Sequence, residues 1–354
     1  MGLRVCLIPG DGIGPEVAAA ARRALDASGV EIAWEIHEVG AAAYRDGGEA
    51  LPERTVAAIR ECGLALKAPV ATRPEDPFRS VNVELRERLD LFLGVRPCRA
   101  LPGTRTPFPE TDLAVLRMHD GDLYAGFDYA PGDPTAAAIR AAVAAAGPPL
   151  AEDAGITLKP ISRRAAERAA RAAFEWAGEN DRELVTIVHK ANVMRGSDGT
   201  FLAAAREVAA DFPRLIVEDR LVDRVCADLV RAPERFDVLF APMLYGDVVS
   251  DLAAALCGGL GVAPGANLGQ GCAVFEAVHG TSAHRAGKGT ANPAALILSG
   301  ALLLRRAGEG DAATRVERAV AATIATGLVT DDLAGEGVEP RSTAAMTDAI
   351  VERI

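Results

Sequence analysis

The chain has 354 residues, 49% of them hydrophobic and 25% charged, a balance that suits a large globular α/β unit or two domains and excludes a small module. A net charge of −11 argues against a nucleic-acid partner, because phosphate contacts need clustered Lys and Arg. Six cysteines (Cys6, Cys62, Cys98, Cys226, Cys257 and Cys272) show no CxxC spacing and read as reduced thiols of a cytosolic protein.

The apolar run Leu3–Ile8 reads as a buried strand, ended by the turn Pro9-Gly10-Asp11-Gly12, and Pro15-Glu16 opens a helix. No signal-peptide core precedes it, so a cytoplasmic location is expected. Further strands are predicted at 64–66, 113–117, 185–189, 215–217 and 238–240. Ala-rich amphipathic stretches separate most of them, which predicts an α/β fold with a substantially parallel core. Residues 133–149 interrupt this rhythm with a short Ala-rich helix, followed by an extended segment at 155–160. That excursion suits pairing with a partner subunit. The apolar run 293–304 covers about half a membrane span and ends in Arg305-Arg306, which predicts a buried helix and no membrane anchor.

Five constellations carry chemistry. Gly10-Asp11-Gly12-Ile13-Gly14 lacks the dinucleotide spacing, and a structural turn is the favoured reading. Arg86, Arg96 and Arg117 stand on separate elements and converge on a polycarboxylate or cover a solvated face. Ser80 and Asn82 add neutral donors. Arg96 is placed at a strand end before Pro97. Lys190 follows an apolar strand, where a partly desolvated amine suits a general base, and Tyr124 suits an acid. Asp247 and Asp251, one helical turn apart, suit Mg²⁺ or Mn²⁺ together with Asp223, or cap a helix. The Gly-rich run Phe275–Thr281, continuing to Asn292, reads as a loop that wraps an adenine and its ribose.

Taken together, these blocks resemble the isocitrate/isopropylmalate dehydrogenase family, from Ile8 to beyond Pro293, and most of all the prokaryotic isocitrate dehydrogenases. The nearest blocks run from Gly155-Ile156-Thr157-Leu158-Lys159-Pro160 to His189-Lys190-Ala191-Asn192, and from Gly258 to Asn267-Leu268-Gly269. The resemblance implies a non-Rossmann α/β fold of large and small domains. It places residues 1–91 and 258–354 in a large cofactor-binding domain and 92–121 and 164–257 in a small one at the dimer interface. Residues 122–163 become a clasp between the subunits of a homodimer with shared active sites. It further implies substrate-carboxylate roles for Arg86, Arg96 and Arg117, recognition of a γ-carboxylate by Ser80 and Asn82, and supporting roles for Lys67 and Asn192. Tyr124 matches the catalytic acid and Lys190 the base supplied by the neighbouring subunit. Asp247 and Asp251 match metal ligands, with Asp223 supplied across the dimer. Thr72, Glu276, His279, Gly280, His284, Arg285 and Asn292 match the cofactor site.

The implied reaction is metal-dependent oxidative decarboxylation of isocitrate. Another 3-substituted malate (homoisocitrate, phosphonomethylmalate or isopropylmalate) or a non-catalytic regulatory subunit are the rival readings. The chain departs from the family at Met118 and Gly121, where the run Arg-Glu-Asn-x-Glu usually precedes the catalytic Tyr, and at Met243 and Arg224. For the cofactor, His284-Arg285 suits a 2′-phosphate, but Asp331 opposes one, and NAD is favoured over NADP.

Overall fold

The computed structural model describes residues 2–72 and 75–354. In chain order, β1 (Leu3–Ile8) turns into α1 (Gly14–Asp26), followed by β2 (Ile32–Ile36), α2 (Ala41–Gly47), α3 (Glu53–Cys62), β3 (Leu64–Lys67) and α4 (Val81–Arg88). Next come β4 (Leu93–Arg99), β5 (Asp112–Met118), a single 3₁₀ turn at Asp122–Ala125, β6 (Asp128–Tyr129), α5 (Pro134–Ala146) and β7 (Ile156–Thr157). The chain continues through α6 (Arg163–Glu179), β8 (Leu184–His189), α7 (Ser197–Ala209), β9 (Ile216–Leu221), α8 (Val222–Arg231), β10 (Val238–Ala241) and α9 (Met243–Leu256). It closes with β11 (Pro264–Leu268), β12 (Ala273–Ala277), α10 (Ala294–Arg306), α11 (Gly310–Ala325) and α12 (Thr343–Val351).

Ten strands form one sheet in the order β2-β1-β3-β12-β11-β4-β5-β10-β8-β9. The wings are parallel, as their helical crossovers require, but the centre is not: β12, β11, β4 and β5 pair antiparallel in succession. The sequence reading missed β2, β11 and β12. β11 is Pro-Gly-Ala-Asn-Leu, a composition poor in β-formers that only tertiary pairing holds extended. Three antiparallel pairings in succession leave the two parallel wings running in opposite directions.

Two expectations are corrected. Arg96 does not end its strand, because β4 runs through Pro97 to Arg99. Pro97 is tolerated because the β11 ladder reaches only Val95, so on that side no hydrogen bond is lost. Likewise Glu276 is not in a loop; it lies in β12, paired on both sides by β11 and β3.

The excursion forms as expected. The β6–β7 pair and the exposed helix α5 stand outside the main sheet. Asp133 caps α5 by accepting from the Thr135 N–H at 2.7 Å. Helix α10 is buried against α1, α11 and the strands, as its apolar run requires. No helix among the described residues is long and apolar enough to cross a membrane. All six cysteines are free thiols.

The Gly10–Gly14 turn is structural. Gly12 has φ +63°, and a Cβ there would come within 2.2 Å of the Thr281 carbonyl oxygen. The Ile13 N–H donates to that same oxygen at 3.0 Å, which docks the turn onto the 279–281 loop.

Candidate active site

A row of residues across the antiparallel centre builds the site. Lys67 at the end of β3 is the register partner of Glu276 on β12, and Glu276 is the partner of Gly265 on β11. One step past the Val95–Ala266 pair, Gly265 faces Arg96 on β4. Directly opposed residues share a face of the sheet, so all four point the same way. Gly265 leaves the gap that lets Arg96 reach across it. A Cβ there would lie 2.3 Å from Arg96 Nη1. Arg117 on β5, opposite Gly94, lies on that face too. A Cβ on Gly246 would crowd its stem at 2.6 Å. These small residues are the signal the sequence held but composition could not reveal: each makes room for a buried guanidinium.

Glu276 is the anionic centre. Its carboxylate pairs with Lys67 Nζ at 2.6 Å, Arg96 at 3.2 Å and Arg86 of α4 at 3.5 Å, and accepts from Asn267 Nδ2 at 2.7 Å. Burial by itself would raise its pKa, but Lys67, Arg96 and Arg86 hold it well below the usual carboxylate range. One anion does not neutralise three cations, so the cluster keeps excess positive charge. Burial lowers the Arg86 guanidinium, with Glu276 opposing, and brings Arg117 down to about 10 against the attraction of Asp247.

Arg117 links this cluster to the acidic side. Its Nε donates to the Met243 carbonyl at 2.7 Å and its Nη1 to Asp247 at 2.5 Å, while Nη2 is buried without a partner among the described residues. Met243 at the family's Asn position therefore serves through its backbone. Tyr124 Oη donates to the other Asp247 oxygen at 2.6 Å, and its ring lies 5.2 Å from the Arg117 guanidinium carbon. Burial and Asp247 both raise the Tyr124 hydroxyl pKa. Asp251, one turn along α9, is raised by burial and by Asp247. Together Lys67, Asn82, Arg86, Arg96, Arg117, Asp247, Asp251, Glu276, His279 and Gly280 line one cleft of about 190 Å³.

The remaining predicted residues fall outside that cleft. Lys190 follows β8 and pairs with Asp223 at the start of α8 at 2.5 Å. Asn192 is exposed in the turn beyond it. Ser80 precedes α4 and accepts from the Thr72 hydroxyl at 3.0 Å. Arg224 bonds Asp228 along α8 and takes no part near Asp223's partner. Asn292, before α10, accepts from the Ala294 N–H at 2.9 Å and donates to Asp332 at 2.9 Å. His284 is exposed, and Arg285 is ion-paired with Asp331.

Three supporting residues escaped the sequence reading. Asp122 is fully buried at φ +59° and accepts from the N–H groups of Leu123 and Leu244, both at 2.8 Å, which ties the Tyr124 turn to α9. Asp198, also fully buried, accepts from the Lys190 N–H at 2.7 Å and pairs with Lys159. His119 sits in a recess with Arg86, Tyr124 and Met243. Its Nδ1 lies 2.8 Å from the Leu91 carbonyl and must donate to it, since a carbonyl only accepts. Burial and the neighbouring Arg86 and Arg117 push its pKa well below the usual value, so Nε2 is a buried acceptor without a partner among the described residues.

A sequence profile of the isocitrate/isopropylmalate dehydrogenase family matches residues 4–350. The chain belongs to this family. It is 42% identical to an isocitrate/homoisocitrate dehydrogenase of Thermus thermophilus over 100% of this chain and 99% of the relative. A probable mitochondrial NAD isocitrate dehydrogenase subunit alpha of Caenorhabditis elegans is 40% identical over 94% of this chain and 88% of its own length. The crystal structure of isocitrate dehydrogenase from Methylococcus capsulatus superposes with a TM-score of 0.90 at 40% identity, covering 100% of this chain and 99% of that one. The fold is thus that of the isocitrate/isopropylmalate dehydrogenases, and the protein is an oxidoreductase of that family.

Proposed function

We propose that this dehydrogenase oxidatively decarboxylates isocitrate to 2-oxoglutarate with NAD, as a cytoplasmic homodimer whose two active sites each draw on both subunits. The observation that carries this reading is the cleft itself, in which four cations face two aspartates. Lys67, Arg86, Arg96 and Arg117 match the carboxylates of a tricarboxylic acid, and Asp247 and Asp251 match a divalent cation.

The donor set fits such a cation. Burial and then the neighbouring Asp247 carboxylate raise the cost of ionising Asp251, and a divalent ion would remove that cost. Asp247 and Asp251, with Asp223 from the partner subunit, would hold Mg²⁺ or Mn²⁺. When bound, the ion would polarise the substrate hydroxyl and offset negative charge as CO₂ leaves. His279 and Gly280 on the cleft wall would help hold a nicotinamide cofactor, since His279 Nε2 is buried without a partner among the described residues. NAD would accept the hydride from the hydroxyl-bearing carbon.

The chain's own groups do the rest. Arg86, Arg96 and Arg117 grip carboxylates, while Asn82, which lines the cleft, and Ser80, at the start of α4, donate to the γ-carboxylate through Nδ2 and Oγ. Lys190 removes the hydroxyl proton during oxidation. Tyr124, kept protonated by its raised pKa, returns a proton to the carbon that has lost CO₂. Lys190 and Asp223 do not line the cleft of their own chain, and the exposed Val193 and Val248 stand beside Lys190 and Asp247. Both facts support assembly across a two-fold interface, with lobes 1–91 plus 258–354 and 92–121 plus 164–257 and a clasp at 122–163.

A substrate panel tests the reading. With Mn²⁺ and NAD, kcat/KM is expected to be highest for isocitrate among isocitrate, homoisocitrate, phosphonomethylmalate and isopropylmalate. A higher value for any other acid reassigns the substrate. The preference for NAD rests on Arg285, whose guanidinium is already held by Asp331. Freeing it with Asp331→Asn is expected to raise kcat/KM for NADP by roughly tenfold, from one new charge-assisted contact to the 2′-phosphate.

A further inference from the structure

Three ligand-type atoms outside the cleft meet between the sheet and the end of α3: the thiols of Cys6 and Cys62 and a carboxylate oxygen of Glu35, all within 4.8 Å of one another. Register explains the convergence. Cys6 on β1 is the direct partner of Glu35 on the parallel strand β2, so both side chains leave one face of the sheet. Helix α3 packs on β1 and ends at Cys62, whose thiol lies 3.6 Å from Glu35 Oε1.

We propose that Cys6, Glu35 and Cys62 form a binding site for a thiophilic divalent cation, with Zn²⁺ the best match. Zinc bonds of about 2.3 Å to sulfur and about 2.0 Å to oxygen give tetrahedral edges of about 3.5 Å between sulfur and oxygen and about 3.8 Å between sulfurs. The Cys62–Glu35 separation of 3.6 Å already meets the first edge. Two thiolates and one carboxylate around a dication leave a single negative charge. Arg4, which also pairs with Glu61 at 3.1 Å, offsets part of it, donating to Glu35 Oε1 from Nε at 2.9 Å and Nη2 at 2.7 Å, and so orients the carboxylate from outside.

Cys6 is completely buried, and burial disfavours a bare thiolate there. Uptake of the cation therefore releases two thiol protons to solvent and forms two metal–sulfur bonds. Glu35 and Cys62 are partly exposed, which provides an entry path and leaves the fourth corner to water. Sulfur ligation selects Zn²⁺ over Mg²⁺, whereas Asp247 and Asp251, oxygen ligands only, select the reverse. The two sites are therefore chemically separable. Occupancy would pin the edge strand β2 to β1 and α3.

Cobalt distinguishes the sites, because thiolate ligands give Co²⁺ an intense near-ultraviolet charge-transfer band and carboxylates do not. Reduced, chelator-stripped full-length protein is titrated with Co²⁺ in excess Mg²⁺. The expected result is a band that saturates at one equivalent per chain, is lost in Cys62→Ser and is displaced by Zn²⁺. Glu35→Gln should weaken binding at least tenfold, and Asp251→Asn should leave the band intact. Because Cys62 is partly exposed, its Ser variant retains the packing of α3, which circular dichroism checks. Zn²⁺ should raise the Tm of the wild type and not that of Cys62→Ser. Absence of the band in the wild type, or its persistence in Cys62→Ser, overturns the proposal.

Discussion

Replacing Lys190 by Met is expected to lower kcat by about 10²–10⁴, the usual contribution of a positioned proton-transfer group. Among the described residues the side chain bonds only Asp223, while its backbone N–H is held by the buried Asp198, so the truncated charge leaves the local fold in place. Tyr124→Phe should fall in the same range, since it removes the proton that Tyr124 now shares with Asp247. The decisive measurement mixes the two inactive variants. If each site takes Tyr124 from one subunit and Lys190 from the other, every heterodimer regains one intact site out of two. Random exchange makes half the dimers mixed, so specific activity should recover to about a quarter of wild type. No recovery after verified subunit exchange would show that both residues serve within one chain.

Loss of the Glu276 carboxylate should produce the largest change in stability. Glu276→Ala leaves Lys67, Arg86 and Arg96 buried together without their shared counter-charge. Removing one member of a buried ion-pair network costs about 3–5 kcal/mol, which for a chain of this length lowers Tm by roughly 4–7 °C. The pH dependence has a definite sign. The folded carboxyl titrates well below the usual carboxylate range because Lys67, Arg96 and Arg86 surround it, so its stabilising contribution is complete above that range. It is lost as pH falls from there through the folded pKa. Glu276→Gln should therefore flatten the acid limb of the stability curve below about pH 4.5 while shifting the neutral region downward. A variant as stable as wild type at pH 7 would mean that solvent, not Glu276, screens the cluster. Isocitrate should rescue the Tm of Glu276→Gln more than that of wild type, because its carboxylates supply the missing charge.

Much of this was visible in the residues. The strands at 3–8, 113–117 and 185–189, the exposed excursion and the buried helix after Pro293 all formed where hydrophobic runs and turn residues placed them. Asp247 and Asp251 share one side of α9 because helical periodicity alone puts them there. Other features were hidden. Pro97 suggested a strand end, but a proline ends a strand only where its missing N–H is needed, and that depends on how far β11 extends. His119 gave no such signal, and its tautomer emerged only with the Leu91 carbonyl in place.

The sequence by itself determined the inventory: basic groups for carboxylates, acidic ones for a cation, and a Tyr and a Lys suited to proton transfer. Tertiary structure decided the company each keeps. The antiparallel centre of the sheet sets Arg96 against Glu276, 180 positions apart, across a glycine that has no side chain to intervene. That register turns a presumed cofactor-loop acid into the counter-ion of three buried cations. It arises from strand pairing over long separations, which no local pattern encodes.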